Sequence, residues 1–118
     1  MREYSRVQRL EGQFQRELAL LIQEELRDPR LGMVTVSGAK VSRDLAYATI
    51  YVTSLGGNPE EVARILGHAA GKLRHELGRR IRIRTLPQLR FVYDQSLEYG
   101  NRMSSLIDQA LVADDRTD

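Results

Sequence analysis

Residues 47–61, Tyr47-Ala48-Thr49-Ile50-Tyr51-Val52-Thr53-Ser54-Leu55-Gly56-Gly57-Asn58-Pro59-Glu60-Glu61, contain a change of period that decides the fold. From Tyr47 to Thr53, β-branched and aromatic residues alternate with period two, as a strand with one face on a core requires. Gly56 and Gly57 break that strand. Asn58 suits a helix cap, Pro59 the first helical turn, and Glu61 the position that completes a reciprocal cap. Val62, Ile65, Leu66, Ala69, Leu73 and Leu77 then recur every three or four residues, a single apolar stripe reaching about residue 80. Gly67, Gly71 and Gly78 interrupt the stripe, each at a cost of about 1 kcal/mol relative to alanine. The helix is therefore expected to bend or break.

On the N-terminal side, Met33-Val34-Thr35-Val36-Ser37 is a second β-like run, separated from the first by a polar connection that contains Arg43-Asp44. The two predict a hairpin with a loop longer than two residues. Before them, Val7, Leu10, Phe14, Leu18, Leu21 or Ile22, and Leu26 line one face of a helix. Ser5 and Gln8 have capping-box spacing at its start, and Pro29 ends it by forcing the preceding residue out of helical geometry. On the C-terminal side, Leu89-Arg90-Phe91-Val92-Tyr93 alternates as a third strand after Leu86-Pro87. Ser96 then opens an amphipathic helix through Leu97, Met103, Leu106, Ile107 and Leu111. The order helix, strand, strand, helix, helix, strand, helix predicts an α+β domain whose three-stranded sheet is covered on one face by helices. The 118 residues provide one core, expected over 1–112 with its C-terminal helix, and a flexible polar tail at 113–118.

With 42% hydrophobic and 29% charged residues, the composition is that of a globular domain. The absence of cysteine excludes disulfides, thiolate nucleophiles and cysteine-based zinc sites. The segment MREYSRVQRLEG is charged from its second residue, and no run approaches the roughly 18 apolar residues of a membrane span. A cytoplasmic protein with no membrane partner is expected.

The net charge of +2 conceals an asymmetry. Residues 64–90 hold eight basic side chains (Arg64, Lys72, Arg74, Arg79, Arg80, Arg82, Arg84, Arg90) against the single Glu76, while 91–118 hold two bases against six acids. Such clustering attracts phosphate polyanions and points to nucleic acid. The plain alternative is a solvated helix face in a chain that uses 16 arginines and two lysines. Beyond the helix, Arg79, Arg80, Arg82 and Arg84 alternate with Ile81 and Ile83, so the isoleucines suit burial while the arginines face outward. A planar guanidinium pairs bidentately with phosphate and stacks on unpaired bases, which suits RNA. The competing reading is that these arginines pair with the acidic C-terminal segment, a contact of little energetic weight at a surface.

No catalytic pattern meets the demands of its chemistry. Gly67-His68-Ala69-Ala70-Gly71-Lys72 resembles a phosphate-binding loop, but it has three residues between its glycines where four are needed, leucine follows the lysine, and a helical pattern surrounds it. His68 and His75 are seven apart, not the four usual for two metal ligands on one helix face, and His75-Glu76 lacks a second histidine. The serines have no flanking glycines of the kind that expose a nucleophile. No catalytic residue, metal, cofactor or small-molecule substrate is expected.

The segments Asp28-Pro29-Arg30, Val34-Thr35-Val36, Val41-Ser42-Arg43-Asp44-Leu45, Ala69-Ala70-Gly71, Pro87-Gln88-Leu89-Arg90-Phe91 and Ser96 through Gly100-Asn101-Arg102-Met103, in this order, resemble the bacterial ribosome-binding factor A family, from about Arg6 to Leu111. The resemblance implies a type II KH-like fold. It also implies docking on the immature small (30S) ribosomal subunit, contact with 16S rRNA, and help in late maturation, including 5′-end processing carried out by other enzymes. Ordinary KH domains clamp the nucleic-acid backbone with a GXXG loop. Here Ala69-Ala70-Gly71 stands in its place, similar to the family's Ala-X-Gly interruption at which a helix kinks. The residues expected to contact RNA are Lys72, Arg74, Arg79, Arg80, Arg82, Arg84, Arg90 and Arg43, in a non-catalytic monomer. The competing functions are a general KH-like RNA-binding module or cold-adaptation RNA chaperone, an RNA-processing enzyme, and a protein-binding adaptor acting through the acidic tail.

Overall fold

The computed structural model describes residues 2–95, with side chains from Arg6 onward. Its elements are α1 (Arg2–Glu25), a 3-10 turn (Pro29–Leu31), β1 (Met33–Val41), β2 (Tyr47–Leu55), α2 (Pro59–Arg80) and β3 (Gln88–Tyr93). β2 is central, antiparallel to β1 and parallel to β3. A parallel pair needs a crossover, and α2 supplies it. The expected C-terminal helix from Ser96 and the polar tail lie outside the described residues.

The alternation in β2 puts Ala48, Ile50, Val52 and Ser54 on the buried face. The three apolar ones meet Phe14, Leu18, Leu21 and Ile22 of α1 and Val62, Leu66, Leu73 and Leu77 of α2 in one core. α1 lies over β1 and α2 over β3. Both helices thus cover the same face of the sheet, as the α+β expectation required, and among the described residues nothing covers the other face. A register shift between Val36 and Gly38 leaves Ser37 outside the ladder. Around it α1 is pinned to β1: Gln15 Nε2 donates to Val36 O at 3.1 Å, and Glu11 Oε2 accepts from Val41 N at 2.8 Å.

The boundaries show which local signals prevailed. Asn58 caps α2 as expected, its side chain accepting from Glu61 N at 3.1 Å. The Glu61 carboxylate, expected to reach back to the cap, lies near Arg30 at 3.5 Å and Arg64 at 3.9 Å. α1 begins at Arg2, upstream of Ser5, and ends at Glu25. Pro29 starts the 3-10 turn, capped by Asp28, which accepts from Arg30 N at 2.9 Å and from the Arg30 side chain. The Arg30 side-chain and backbone hydrogen bonds hold the Asp28 carboxyl down to about 2. Its contribution to stability is present above the ordinary 3.8 and is lost as pH falls through about 2.

Of the expected bend or break at Ala69-Ala70-Gly71, the break does not occur: α2 is one continuous helix from Pro59 to Arg80, where a helix pair was anticipated. Three glycines cost roughly 3 kcal/mol, while each fully buried leucine or valine contributes about 1.5–3 kcal/mol, and α2 buries Val62, Leu66, Leu73 and Leu77 on both sides of the glycines. Gly71 is exposed, and a Cβ there would meet nothing within 4 Å. Gly71→Ala is therefore expected to raise the unfolding free energy by about 1 kcal/mol, read by urea denaturation. A destabilised variant would show that the glycine serves a local geometry.

Candidate nucleic-acid interface

One end of the domain gathers loops from distant parts of the chain. Gln88 N donates to Ala46 O at 2.9 Å and Ser42 N to Tyr47 O at 2.8 Å, so the β1–β2 loop (residues 42–46) sits beside the α2–β3 link (residues 81–87). The Asp44 carboxylate organises the first loop, accepting from Ser42 Oγ at 2.8 Å and Ala46 N at 3.0 Å. These two bonds hold its pKa below the usual carboxylate range, against the opposing effect of desolvation. Leu45 takes a left-handed φ of 61°, which closes the turn.

The link displays its arginines as the alternation predicted. Ile81 is buried and Ile83 packs against the core, while Arg82 and Arg84 are exposed. Arg43 is exposed on the neighbouring loop. None of these three guanidinium groups has an acidic partner among the described residues.

The other candidates divide. Lys72 and Arg79 are exposed and make long ion pairs, with Glu25 and Glu76 respectively, each at 3.6 Å. Pairs of this kind hold their charges weakly and release them readily. Arg74 and Arg80, also among the expected RNA contacts, make bonds within the fold. Arg74 donates to Leu86 O at 2.6 Å and Pro87 O at 3.0 Å, latching the link onto α2. Arg80 bridges to α1 through Glu24 at 2.6 Å and Glu17 at 3.3 Å. The Glu24 bond raises the Arg80 pKa, with desolvation opposing and Glu17 adding to it. The carboxylate partners thus come from α1 and from α2 itself. The competing reading, pairing with the acidic C-terminal segment, falls on residues outside those described except at Asp94.

Arg74→Met is expected to lower stability by about 2 kcal/mol, because two backbone carbonyls lose charged donors. Thermal unfolding would show it, and an unchanged transition would return Arg74 to the surface set.

Arg90 stands apart, on the open face of the sheet, with its guanidinium carbon 3.8 Å from the Tyr47 ring centroid. The eight expected residues are therefore spread over the loop end, α2 and the open face of the sheet. Lys40, Tyr47 and Tyr51, which share the open face with Arg90, are absent from that set. Their signal lies in the period of β2, since burial of Ala48 and Ile50 places Tyr47 and Tyr51 outward.

Elsewhere, Gly67 to Lys72 is helix interior, which rules it out as a phosphate loop. Among the described residues no three His, Asp or Glu side chains are grouped to hold a metal, and no helix is long and apolar enough to cross a membrane. At the far end, the C-terminus of α1, the 3-10 turn and the start of β1 enclose an open groove of about 600 Å³, lined by Ile22, Leu26, Leu31 and Met33 among others.

Comparison with known proteins gives consistent matches. The family model for ribosome-binding factor A matches residues 6–107. Ribosome-binding factor A of Chromohalobacter salexigens is 57% identical over 120 residues, covering 98% of this chain and 91% of the relative. The crystal structure of ribosome-binding factor A from Thermus thermophilus superposes with a TM-score of 0.69 at 38% identity, over 74% of this chain and 94% of that one. A homology model of the Thermus thermophilus protein, fitted into a cryo-EM map of a 30S complex of that protein, matches with a TM-score of 0.66 at 38% identity, over 74% and 93%. With the α+β architecture as derived and the match extending along nearly the whole chain, the protein belongs to the ribosome-binding factor A family.

Proposed function

We propose that this protein binds the immature 30S subunit through 16S rRNA and assists late maturation, including 5′-end processing by other enzymes, in the cytoplasm and as a monomer. Its contribution is binding, with no cofactor or small-molecule substrate. The observation that carries this reading is the set of guanidinium groups at one end of the domain, Arg43, Arg82 and Arg84, left without acidic partners among the described residues while Arg74 and Arg80 have partners within the fold. Lys72 and Arg79 extend the positive surface along α2. Phosphate contacts of this kind give sequence-independent, salt-sensitive affinity. The shape of the domain then sets which folded RNA can reach them all. The 30S complex of the Thermus thermophilus relative supports the choice of partner.

The test is sedimentation of the purified protein with immature and mature 30S subunits across a salt series. Preferential association with immature subunits, weakening steeply with salt, is expected. Equal displacement by unstructured RNA at the same nucleotide concentration would favour the second reading, a general RNA-binding module or cold-adaptation chaperone, for which the Tyr47–Arg90 stack is the relevant observation.

A further inference from the structure

The open face of the sheet has a composition unlike that of a merely solvated surface. The register aligns Lys40, Thr49 and Arg90 in a row across all three strands. Gly38, Tyr51 and Val92 form the next row, and Tyr47 stands at the end nearer the basic loops. Tyr47 and Val92 are each 43% exposed. The two tyrosines, four positions apart on one strand, lie roughly 13 Å apart, leaving room for two separate flat groups. Arg90 covers one face of the Tyr47 ring. The contact holds the guanidinium over the aromatic ring, and because Arg90 is exposed a further planar group can reach it.

We propose that this face is a stacking platform for an unpaired RNA segment, one base on the Arg90–Tyr47 stack and another on Tyr51, with Lys40 meeting the backbone. The proposal deepens the rRNA reading and rests on it for the source of the RNA. Three features select single-stranded RNA as occupant. Aromatic rings and arginine planes stack on splayed bases whatever their sequence, whereas a duplex presents its bases edge-on. Lys40 and Arg90 match a phosphate backbone in charge, and a second copy of this chain would oppose the same cations to each other. The carboxylate bordering the face, Asp94, accepts from Ser37 Oγ at 3.0 Å and is thereby drawn toward β1. The surface also adjoins Arg43 on the β1–β2 loop, so one strand of RNA can pass from the phosphate-binding end onto the sheet.

The test uses the full chain with labelled octauridylate and, separately, a blunt RNA duplex at low salt. Tyr47→Leu keeps an apolar side chain on the strand and removes the ring, and it is expected to weaken octauridylate binding about tenfold. Tyr47→Phe restores the affinity, and Arg90→Lys weakens it although the charge is kept. Duplex binding stays as in the unmodified protein for all three. Octauridylate affinity unchanged in Tyr47→Leu, or an equal loss on the duplex, would overturn the platform. So would concentration-dependent dimerisation abolished by Tyr47→Leu, which gives the face to a second copy. Subunit sedimentation keeps the two readings separable. If subunits bind while octauridylate ignores Tyr47, only the platform fails; Tyr47-dependent octauridylate binding without subunit association leaves the platform and removes the assembly role.

Discussion

Gly32→Ala is expected to lower the melting temperature by about 10 °C or more. Gly32 adopts φ 63° and ψ −149°, a region open essentially to glycine alone, so an alanine there carries roughly 3 kcal/mol of strain before any contact is counted. The contacts add to it. The new Cβ would be driven against the Leu55 carbonyl oxygen, with Gly57 N and Ser54 Oγ each only 2.8 Å away. Two of these three atoms are backbone and have no rotamer through which to yield. At this junction the turn after α1, the end of β2 and the approach to α2 close on one another, and Ser54 Oγ donates to the Leu31 carbonyl. Circular dichroism melting of Gly32→Ala beside Gly71→Ala is the direct check, since the two are expected to move in opposite directions. A Gly32→Ala transition close to that of the unmodified protein would mean that the junction relaxes, and that its closeness does not hold the fold.

The second large effect is on binding. Replacing both Arg82 and Arg84 by glutamate is expected to reduce 30S association more than tenfold and to lower the slope of log affinity against log salt by about two, one for each phosphate no longer neutralised. Folding should be preserved, because both side chains are exposed and the buried Ile81 between α2 and the link is untouched. Arg80 is unsuitable for this experiment. A glutamate at that position would face Glu17 and Glu24, so weaker binding could not be separated from a looser packing of the two helices. Sedimentation of the double variant at several salt concentrations reads both quantities. A slope unchanged from the unmodified protein would remove these arginines from the interface.

Much of this architecture is legible in the sequence because its signals are local. Asn58 and Pro59 announce α2, the period-two runs announce three strands, and the alternation of Ile81 and Ile83 with Arg82 and Arg84 correctly separates buried from exposed positions. The resemblance to ribosome-binding factor A adds the expected partner, which no spacing could supply. What stays hidden depends on distance along the chain. The carboxylates that hold Arg80 are 56 and 63 positions away on α1, and a segmental count of charge in 64–90 cannot see them. Arg74 escapes for a related reason, since its acceptors are carbonyl oxygens, which carry no residue identity. The uninterrupted course of α2 is invisible to propensity, which counts the cost of three glycines without the burial on either side of them.

The parallel pairing of β2 with β3 also bears on how the chain reaches this state. Every β1–β2 partner pair is separated by between 7 positions (Val41 and Ala48) and 22 (Met33 and Leu55), whereas every β2–β3 pair, from Tyr47 with Gln88 to Val52 with Tyr93, is separated by 41. The hairpin can zip from its own turn, but the third strand must wait until α2 has wound and shortened the intervening segment, since closing a long loose loop costs more entropy than closing a short one. A nascent chain halted before Gln88 would therefore hold a two-stranded ribbon under α1 with the outer edge of β2 unsatisfied, and the Arg90–Tyr47 stack would be among the last features to form.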